Sequence, residues 1–340
     1  MNTAAARVFA KAYVKSMRLY YSFITGIAGL LGLSYYQFVA HSADTIALSS
    51  LRRTVETPTS PLKFILILMI LFLAWGINQI YNDYLGLEED RINAPDRPMV
   101  TGELHPRLAL LLSTVLMLGA TAATWFFLER NAIIPLIVGA LLNVLYEYAK
   151  GHGIWGNIVF GIMITSCAAF GFMAAGPSDA SLLTPSRMSM LAFVALINGL
   201  MTFYTYFKDY EGDKASGKQT IIVRSGLERS KYYSILASFL PSIVFVLGYA
   251  SLDMWPIALN GVFLLLAGLT FCLQVWTGYL YYKNPKGEMT YYSLSFNFRA
   301  CACAEAALIA LFNPTLGILM FLVTYMLIGF LFNFHMNRHG

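Results

Sequence analysis

The chain changes from apolar to acidic at NQIYNDYLGLEEDRINAPDRP, residues 78–98, which follow directly on the apolar run LKFILILMILFLAWGI at residues 62–77. Nothing in the apolar run ends a helix, so we expect one helix to continue into the acidic stretch. Residues four apart share a helix face, which places Asn82, Gly86 and Asp90 on one stripe. Polar groups are costly at membrane depth, so this stripe is expected to face a bundle interior or a water-filled cavity.

The composition of the whole chain is that of a membrane protein. Of its 340 residues, 58% are hydrophobic and only 12% are charged, and the mean hydropathy is +0.61. Soluble domains carry about 25% charged residues. No basic stripe with interleaved exposed aromatics lies in a soluble segment, which argues against nucleic acid as a partner. The four cysteines have no CxxC spacing and indicate neither a metal cluster nor a disulfide framework.

Ten apolar runs are long enough to cross a bilayer as helices. They cover residues 19–39, 62–85, 107–128, 132–149, 156–176, 188–208, 233–252, 255–281, 291–312 and 315–335. The last two are separated only by Asn313-Pro314 and are either two helices or one re-entrant unit. The expected fold is therefore all-α, a polytopic transmembrane bundle of nine helices with a possible tenth. We expect a single integral membrane domain over residues 1–340, with a first half at 15–150 and a second half at 151–340.

The positive charges indicate how the bundle is oriented. Most of the 23 Lys and Arg residues fall in the amino-terminal segment and the even-numbered loops. By the positive-inside rule, these segments face the cytoplasm. Both acid-rich loops are then predicted on the cytoplasmic side.

A second acidic cluster, TFYTYFKDYEGDKASGKQT, occupies residues 202–220 at the end of the sixth run. Asp209 and Asp213 are four residues apart, so a continuing helix would present both carboxylates on one face. Mg²⁺ prefers oxygen ligands and is commonly held by carboxylates together with substrate phosphates. Such acids can also be solvated helix ends, but two clusters with matched spacing at equivalent ends of the bundle favour a shared Mg²⁺–diphosphate site.

The two stretches resemble the signature loops of the UbiA superfamily of intramembrane prenyltransferases. NDYLGLEEDRINAPDRPMVTGEL resembles the Asn-rich motif NDxxDxxxD with its following R-P, and KDYEGDKASGKQT resembles the motif DxxGDxxxGxxT. YEYAKGHGIWGN at residues 146–157 also falls in the order expected of the family. The resemblance extends over roughly residues 15–310.

The resemblance implies a ring of transmembrane helices around a central cavity that both motifs cap on the cytoplasmic side. It implies an enzyme that ionises an isoprenyl diphosphate with Mg²⁺ and passes the allylic cation to a lipophilic acceptor. The implied metal and catalytic ligands are Asn82, Asp83, Asp90, Asp209 and Asp213. The implied diphosphate-binding residues are Arg18, Arg97, Lys150, Asn157 and Lys214.

The allylic cation in such a reaction needs a dry, electron-rich surface. Aromatic faces stabilise a cation at short range. Near the acidic motifs the candidates for this lining are Tyr81, Tyr146 and Tyr204. Trp75, Phe203 and Tyr206 also lie within two helix turns of the motifs. Tyrosine and tryptophan are also common at membrane interfaces for other reasons.

The chain departs from the family pattern at Gly86, where a metal-binding Asp is usual. Either Glu89 or a water fills the place, or the metal is held differently. The spacing of NDYLGLEED is also similar to a metal motif of terpene cyclases, so cyclisation of an isoprenyl diphosphate is the alternative to transfer. A transporter or lipid-binding bundle is disfavoured, because coupling groups of transporters usually lie near the bilayer midplane and these acids lie at helix ends.

Overall fold

The computed structural model describes residues 3–41, 59–176, 185–251 and 258–336. Its helices are α1 (Thr3–Met17), α2 (Ser22–His41), α3 (Pro61–Leu85), α4 (Leu87–Asn93), α5 (Pro98–Thr101), α6 (Pro106–Phe127), α7 (Ile133–Lys150), α8 (Trp155–Ala174), α9 (Pro185–Ala215), α10 (Ile221–Ser225), α11 (Leu227–Ser251), α12 (Gly261–Lys283), α13 (Met289–Phe312) and α14 (Pro314–Met336). Two short strands, β1 (His152–Gly153) and β2 (Gln219–Thr220), pair in parallel. The all-α bundle is confirmed.

Nine helices in the described ranges are long and apolar enough to cross a membrane: α3, α6 to α9 and α11 to α14. Helix α2, with 20 residues, lies among them and packs against α3, α8 and α13. The break at Asn313-Pro314 separates two full-length helices, α13 with 24 residues and α14 with 23. Each of the two helices is long and apolar enough to cross a membrane, which favours two separate spans.

The middle of the bundle is a packed apolar core. Ile24, Ile27 and Leu31 of α2 are completely buried, and α13 is the most buried of the spanning helices. Helices α2 and α8 approach so closely that a Cβ added at Gly171 would lie 1.9 Å from the carbonyl oxygen of Gly29. Small residues at such contacts allow helix backbones to pack tightly inside a membrane.

The acidic stretches continue two of the long helices beyond their apolar runs. Helix α3 runs without interruption through Asn82 and Asp83, as expected, and ends at Gly86. Gly86 is also the residue before α4, which carries Glu89 and Asp90. Helix α9 has 31 residues and holds both Asp209 and Asp213. The fold thus brings both acidic clusters to the same end of the bundle.

Two local features fix the loops at this end. The β1–β2 pairing aligns His152 with Gln219, which holds the loop after α9 against the end of α7. Arg18, between α1 and α2, has φ 47° and is the one non-glycine residue with positive φ in the described ranges. A left-handed conformation at such a residue is strained and is often found at functional sites.

Candidate active site

A cavity of about 100 Å³ lies where the ends of α3, α4, α7 and α9 meet. It collects residues from both acidic stretches, namely Asn82, Asp83 and Asp90 from the first and Asp209 from the second. Basic residues share its wall, including Arg18, Arg97, Lys150, Lys208 and Lys218. Two segments more than 100 positions apart in the sequence therefore form one site.

Asp83 is the centre of the first half of the site. It is 1% exposed, and its Oδ1 accepts hydrogen bonds from the Arg18 guanidinium and, at 2.8 Å, from Gln79 Nε2. Arg97 lies 3.5 Å from the same oxygen and also forms an ion pair with Asp90. Burial raises the pKa of Asp90, and the guanidinium of Arg97 offsets this only in part.

Lysines pair with the carboxylates of the second half. Lys150 Nζ lies 2.8 Å from Asp213 Oδ1 and 3.7 Å from Asp209 Oδ2. Lys208 Nζ lies 3.3 Å from Asp209 Oδ1. Asp209 reaches the cavity wall, whereas Asp213 is fully buried behind Lys150.

Asn93 joins the two halves directly. Its Oδ1 accepts a 2.9 Å hydrogen bond from the backbone amide of Gly212, and its Nδ2 donates to the carbonyl of Asp209 at 3.4 Å. A Cβ at Gly212 would lie only 2.3 Å from Asn93 Nδ2. The glycine is therefore required for this contact between α4 and α9.

A third charged cluster was not found from the sequence. Lys218 Nζ lies 3.0 Å from Glu89 Oε1 and 3.2 Å from Glu147 Oε2. Burial acts to raise the pKa of Glu89, but its own backbone amide and Lys218 outweigh burial and hold that pKa below its ordinary value. The sequence positions of these residues could have indicated the cluster. Lys218 lies within the motif KDYEGDKASGKQT, and Glu147 follows Tyr146 in YEYAKGHGIWGN.

The donor atoms at this site suit a hard divalent cation, although basic side chains now neutralise them. Oδ1 of Asn82, Oδ2 of Asp83 and Oδ2 of Asp213 are buried and have no hydrogen-bond partner. Such oxygens are the ligands that Mg²⁺ prefers. In the described ranges no three His, Cys, Asp or Glu side chains are already grouped to hold a metal. The basic side chains lie at the other carboxylate oxygen, Oδ1 of Asp83 and of Asp213.

Aromatic rings form the inner wall of the cavity. Tyr21 stacks on Trp75 with ring centroids 4.6 Å apart, and Trp75 meets Phe160 at 5.8 Å. Tyr146 contacts Phe160 at 5.3 Å and also lines the cavity. These aromatic rings therefore lie between the charged end of the site and the apolar core of the bundle.

Four other predicted site residues do not line the cavity. The hydroxyl of Tyr81 bonds to that of Thr114 at 2.5 Å, and that of Tyr204 donates to the Ser234 carbonyl at 2.6 Å. Asn157 Nδ2 donates to the Gly199 carbonyl at 3.1 Å and joins two helices. Lys214 is exposed and lies 5.6 Å from the centre of the Tyr210 ring.

A larger cavity of about 560 Å³ adjoins the first. Both cavities are lined by Arg18, Tyr21, Asp83, Asn93, Arg97 and Lys208. The second also has Lys15 at its polar part and Leu294 and Phe332 at its apolar part. The buried Arg18–Asp83 ion pair thus lies on the boundary between two connected spaces.

Comparison with known proteins agrees with this architecture. A profile of the UbiA prenyltransferase family matches residues 45–297. A digeranylgeranylglyceryl phosphate synthase of Thermococcus sibiricus is 27% identical over 283 residues, covering 81% of this chain and 88% of the relative. The Thermococcus kodakarensis protein of the same name is 26% identical and covers 75% of this chain and 87% of its own length.

Solved structures share the fold. A UbiA homolog from Aeropyrum pernix K1 superposes with a TM-score of 0.63 at 18% identity, covering 84% of this chain and 97% of the homolog. A UbiA homolog from Archaeoglobus fulgidus, bound to GPP and Mg²⁺, gives 0.62 at 15% identity over 92% and 100% of the two chains. With the family match over most of its length, the chain is an integral, multi-pass membrane protein that belongs to the UbiA prenyltransferase family and transfers prenyl groups.

Proposed function

We propose that the chain transfers an isoprenyl group from an isoprenyl diphosphate to a lipophilic acceptor in a Mg²⁺-dependent reaction. The observation that carries this proposal is the meeting of the two acidic stretches at one cavity, beside a wall of aromatic rings. A diphosphate fits the charged part of such a site, and an allylic group fits the aromatic part. The A. fulgidus homolog bound to GPP and Mg²⁺ supports the same assignment by analogy.

The residues that would hold Mg²⁺ are Asn82, Asp83, Asp90 and Asp209 at the cavity, with Asp213 behind them. A bound Mg²⁺ would supply Lewis-acid stabilisation of the diphosphate as a leaving group. The three oxygens without hydrogen-bond partners, on Asn82, Asp83 and Asp213, support this assignment.

The basic side chains have a second task in this proposal. Arg18, Arg97 and Lys150 form ion pairs with carboxylates of the site. Hydrogen bonds between such cations and phosphate oxygens are strong because they are charge-assisted. These side chains would therefore bind and orient the diphosphate and stabilise the negative charge that grows on it when the C–O bond breaks.

The aromatic wall would protect the cationic fragment. Trp75, Tyr21 and Phe160 line the cavity with aromatic rings. Ring faces attract a cation at short range, and a packed apolar surface keeps out water that would capture it. The acceptor is then the nucleophile that forms the new bond.

We further propose that the acceptor carries a glyceryl phosphate head group. The relatives from Thermococcus are named for a product of this class. In the larger cavity, Lys15, Arg18 and Lys208 would suit an anionic head group, and Leu294 and Phe332 would suit a lipid chain. The two cavities share a wall, so an acceptor in one would lie beside a diphosphate in the other.

The test is an assay of the purified protein in detergent with geranylgeranyl and farnesyl diphosphates and a prenylated glyceryl phosphate acceptor. We expect pyrophosphate release and a doubly prenylated lipid that both require Mg²⁺ and disappear when a chelator is added. Asp209→Asn should abolish both signals. Glu211→Gln is the matched control, because Glu211 is exposed and lies between the two aspartates.

Metal-dependent pyrophosphate release that persists in Asp209→Asn would refute the proposed site. The same incubation without acceptor separates transfer from cyclisation, because transfer then gives no new hydrocarbon. A cyclic product formed without acceptor would favour the terpene cyclase alternative.

A further inference from the structure

Gly86 lines the active-site cavity but contributes no side chain to it. A Cβ placed there would have the carbonyl oxygen of Asn82 at 3.2 Å, Glu89 Oε2 at 3.7 Å and Glu147 Oε2 at 3.9 Å. The two glutamates come from different helices, α4 and α7. Their carboxylates therefore converge on the one position along this stripe that has no side chain of its own.

Lys218 holds the two carboxylates in place. It lies 3.0 Å from Glu89 and 3.2 Å from Glu147, and all three side chains are mostly buried, with 13–17% of each exposed. The Lys218 amide donates to the Asp213 carbonyl at 2.8 Å, and the next amide donates to Gly151 at 3.2 Å. This glutamate–lysine–glutamate cluster is therefore anchored to α4, α7 and the loop after α9.

Two further oxygens of the same cavity have no partner. Asp83 is 1% exposed, and its Oδ2 accepts no hydrogen bond. Asn82 Oδ1 is also buried and has no partner. A buried oxygen without a donor is costly unless a ligand binds it. Such oxygens can ligate a hard divalent cation, which takes oxygen ligands.

We propose that Glu89 and Glu147 are ligands of a divalent cation beside Gly86, and that Lys218 competes with this ion for the two carboxylates. The inference rests on the proposed Mg²⁺–diphosphate function and adds two ligands to it. Two carboxylates with the Asn82 amide oxygen form a donor set of the type that hard divalent ions prefer. Lys218, once displaced, becomes free to pair with the diphosphate.

The ligand role can be tested apart from activity by measuring Mn²⁺ binding to the substrate-free protein. Binding is measured as the loss of the EPR signal of the free ion. Glu89→Gln and Glu147→Gln should each weaken binding by about tenfold or more, which is at least the effect of losing an outer-shell partner of a metal. Lys218→Gln should bind Mn²⁺ more tightly than the parent chain, because the competing cation is gone. Glu228→Gln is the matched control at an exposed glutamate–lysine pair.

Cadmium tests direct ligation. Glu147→Cys should show a thiolate–Cd²⁺ absorption band in a difference spectrum against the parent chain, whereas Glu228→Cys should not. A glutamate that only supports the fold would give no such band. The absence of the band, or weaker Mn²⁺ binding in Lys218→Gln, would overturn the inference.

Gly86→Asp provides a rescue. In the Glu147→Gln background it adds a carboxylate next to Glu89 and should restore Mn²⁺ binding; its Cβ would lie 3.2 Å from the Asn82 carbonyl oxygen, a close contact that requires a small local shift. If the parent enzyme is metal-dependent and the glutamate variants bind Mn²⁺ as tightly as it does, this inference fails and the proposed function stands. If the parent itself releases no pyrophosphate with Mg²⁺, the proposed function fails.

Discussion

Among single residues, Asp83 is an almost fully buried carboxylate that pairs with two cations. It accepts hydrogen bonds from Arg18 and Gln79 and lies near Arg97, although it is almost fully buried. A buried ion pair contributes little relative to an apolar pair, but removal of one partner leaves an uncompensated charge. Asp83 is therefore expected to affect stability as well as activity.

We predict that Asp83→Asn lowers the free energy of unfolding by about 3–5 kcal/mol, because Arg18 and Arg97 lose their common buried partner. Thermal unfolding in detergent, compared with the parent chain, measures this effect. Glu228→Gln removes an exposed ion pair and is expected to leave the free energy of unfolding nearly unchanged. An Asp83→Asn protein as stable as Glu228→Gln would show that the Arg18–Asp83 pair is not maintained.

The sequence identified the acids of this site but not all of their partners. Asn82, Asp83 and Asp209 stood out because they interrupt or end apolar runs. Glu147 and Lys218 did not, because a single charge near a helix end is usually solvated, and only the packing of α4 against α7 and α9 brings them together.

The helices could be predicted closely, but their rotation could not. The run 62–85 corresponds to Pro61–Leu85, and the run 107–128 to Pro106–Phe127. Hydropathy indicates where a helix crosses the membrane, whereas the neighbours in the bundle determine which face points inward. Tyr81 and Tyr204 are close to the acidic motifs in the sequence. Their hydroxyl groups nevertheless form hydrogen bonds with Thr114 and Ser234, away from the cavity.

The contact between α2 and α8 gives a prediction for a pair of elements. We expect Gly171→Ala to lower the unfolding free energy by about 1–3 kcal/mol, because the added methyl group would overlap the Gly29 carbonyl and overpack the contact. Gly268→Ala in α12 is the control, since a Cβ there meets nothing within 4 Å. Equal melting temperatures for the two variants would contradict the close approach of α2 and α8.

For the whole molecule, the distribution of basic residues predicts a cytoplasmic active site. Glu211→Cys, beside the cavity, should react with a membrane-impermeant maleimide only after cells are opened. Asn131→Cys, in the exposed loop between α6 and α7, should react in intact cells. The parent chain, with its four native cysteines, gives the background. The reverse labelling pattern would place the active site on the outer side.

The contact of Asn93 with Gly212 also has a consequence for biosynthesis. Asp83 and Asp90 pair with Arg18 and Arg97, which are already present when α8 is complete. A nascent chain that ends after α8 still lacks Asp209 and Asp213, the partners of Lys150, and Lys218, the partner of Glu89 and Glu147. We therefore expect the site to assemble late, when α9 inserts and its end docks on α4, and truncated chains to be unable to bind a diphosphate.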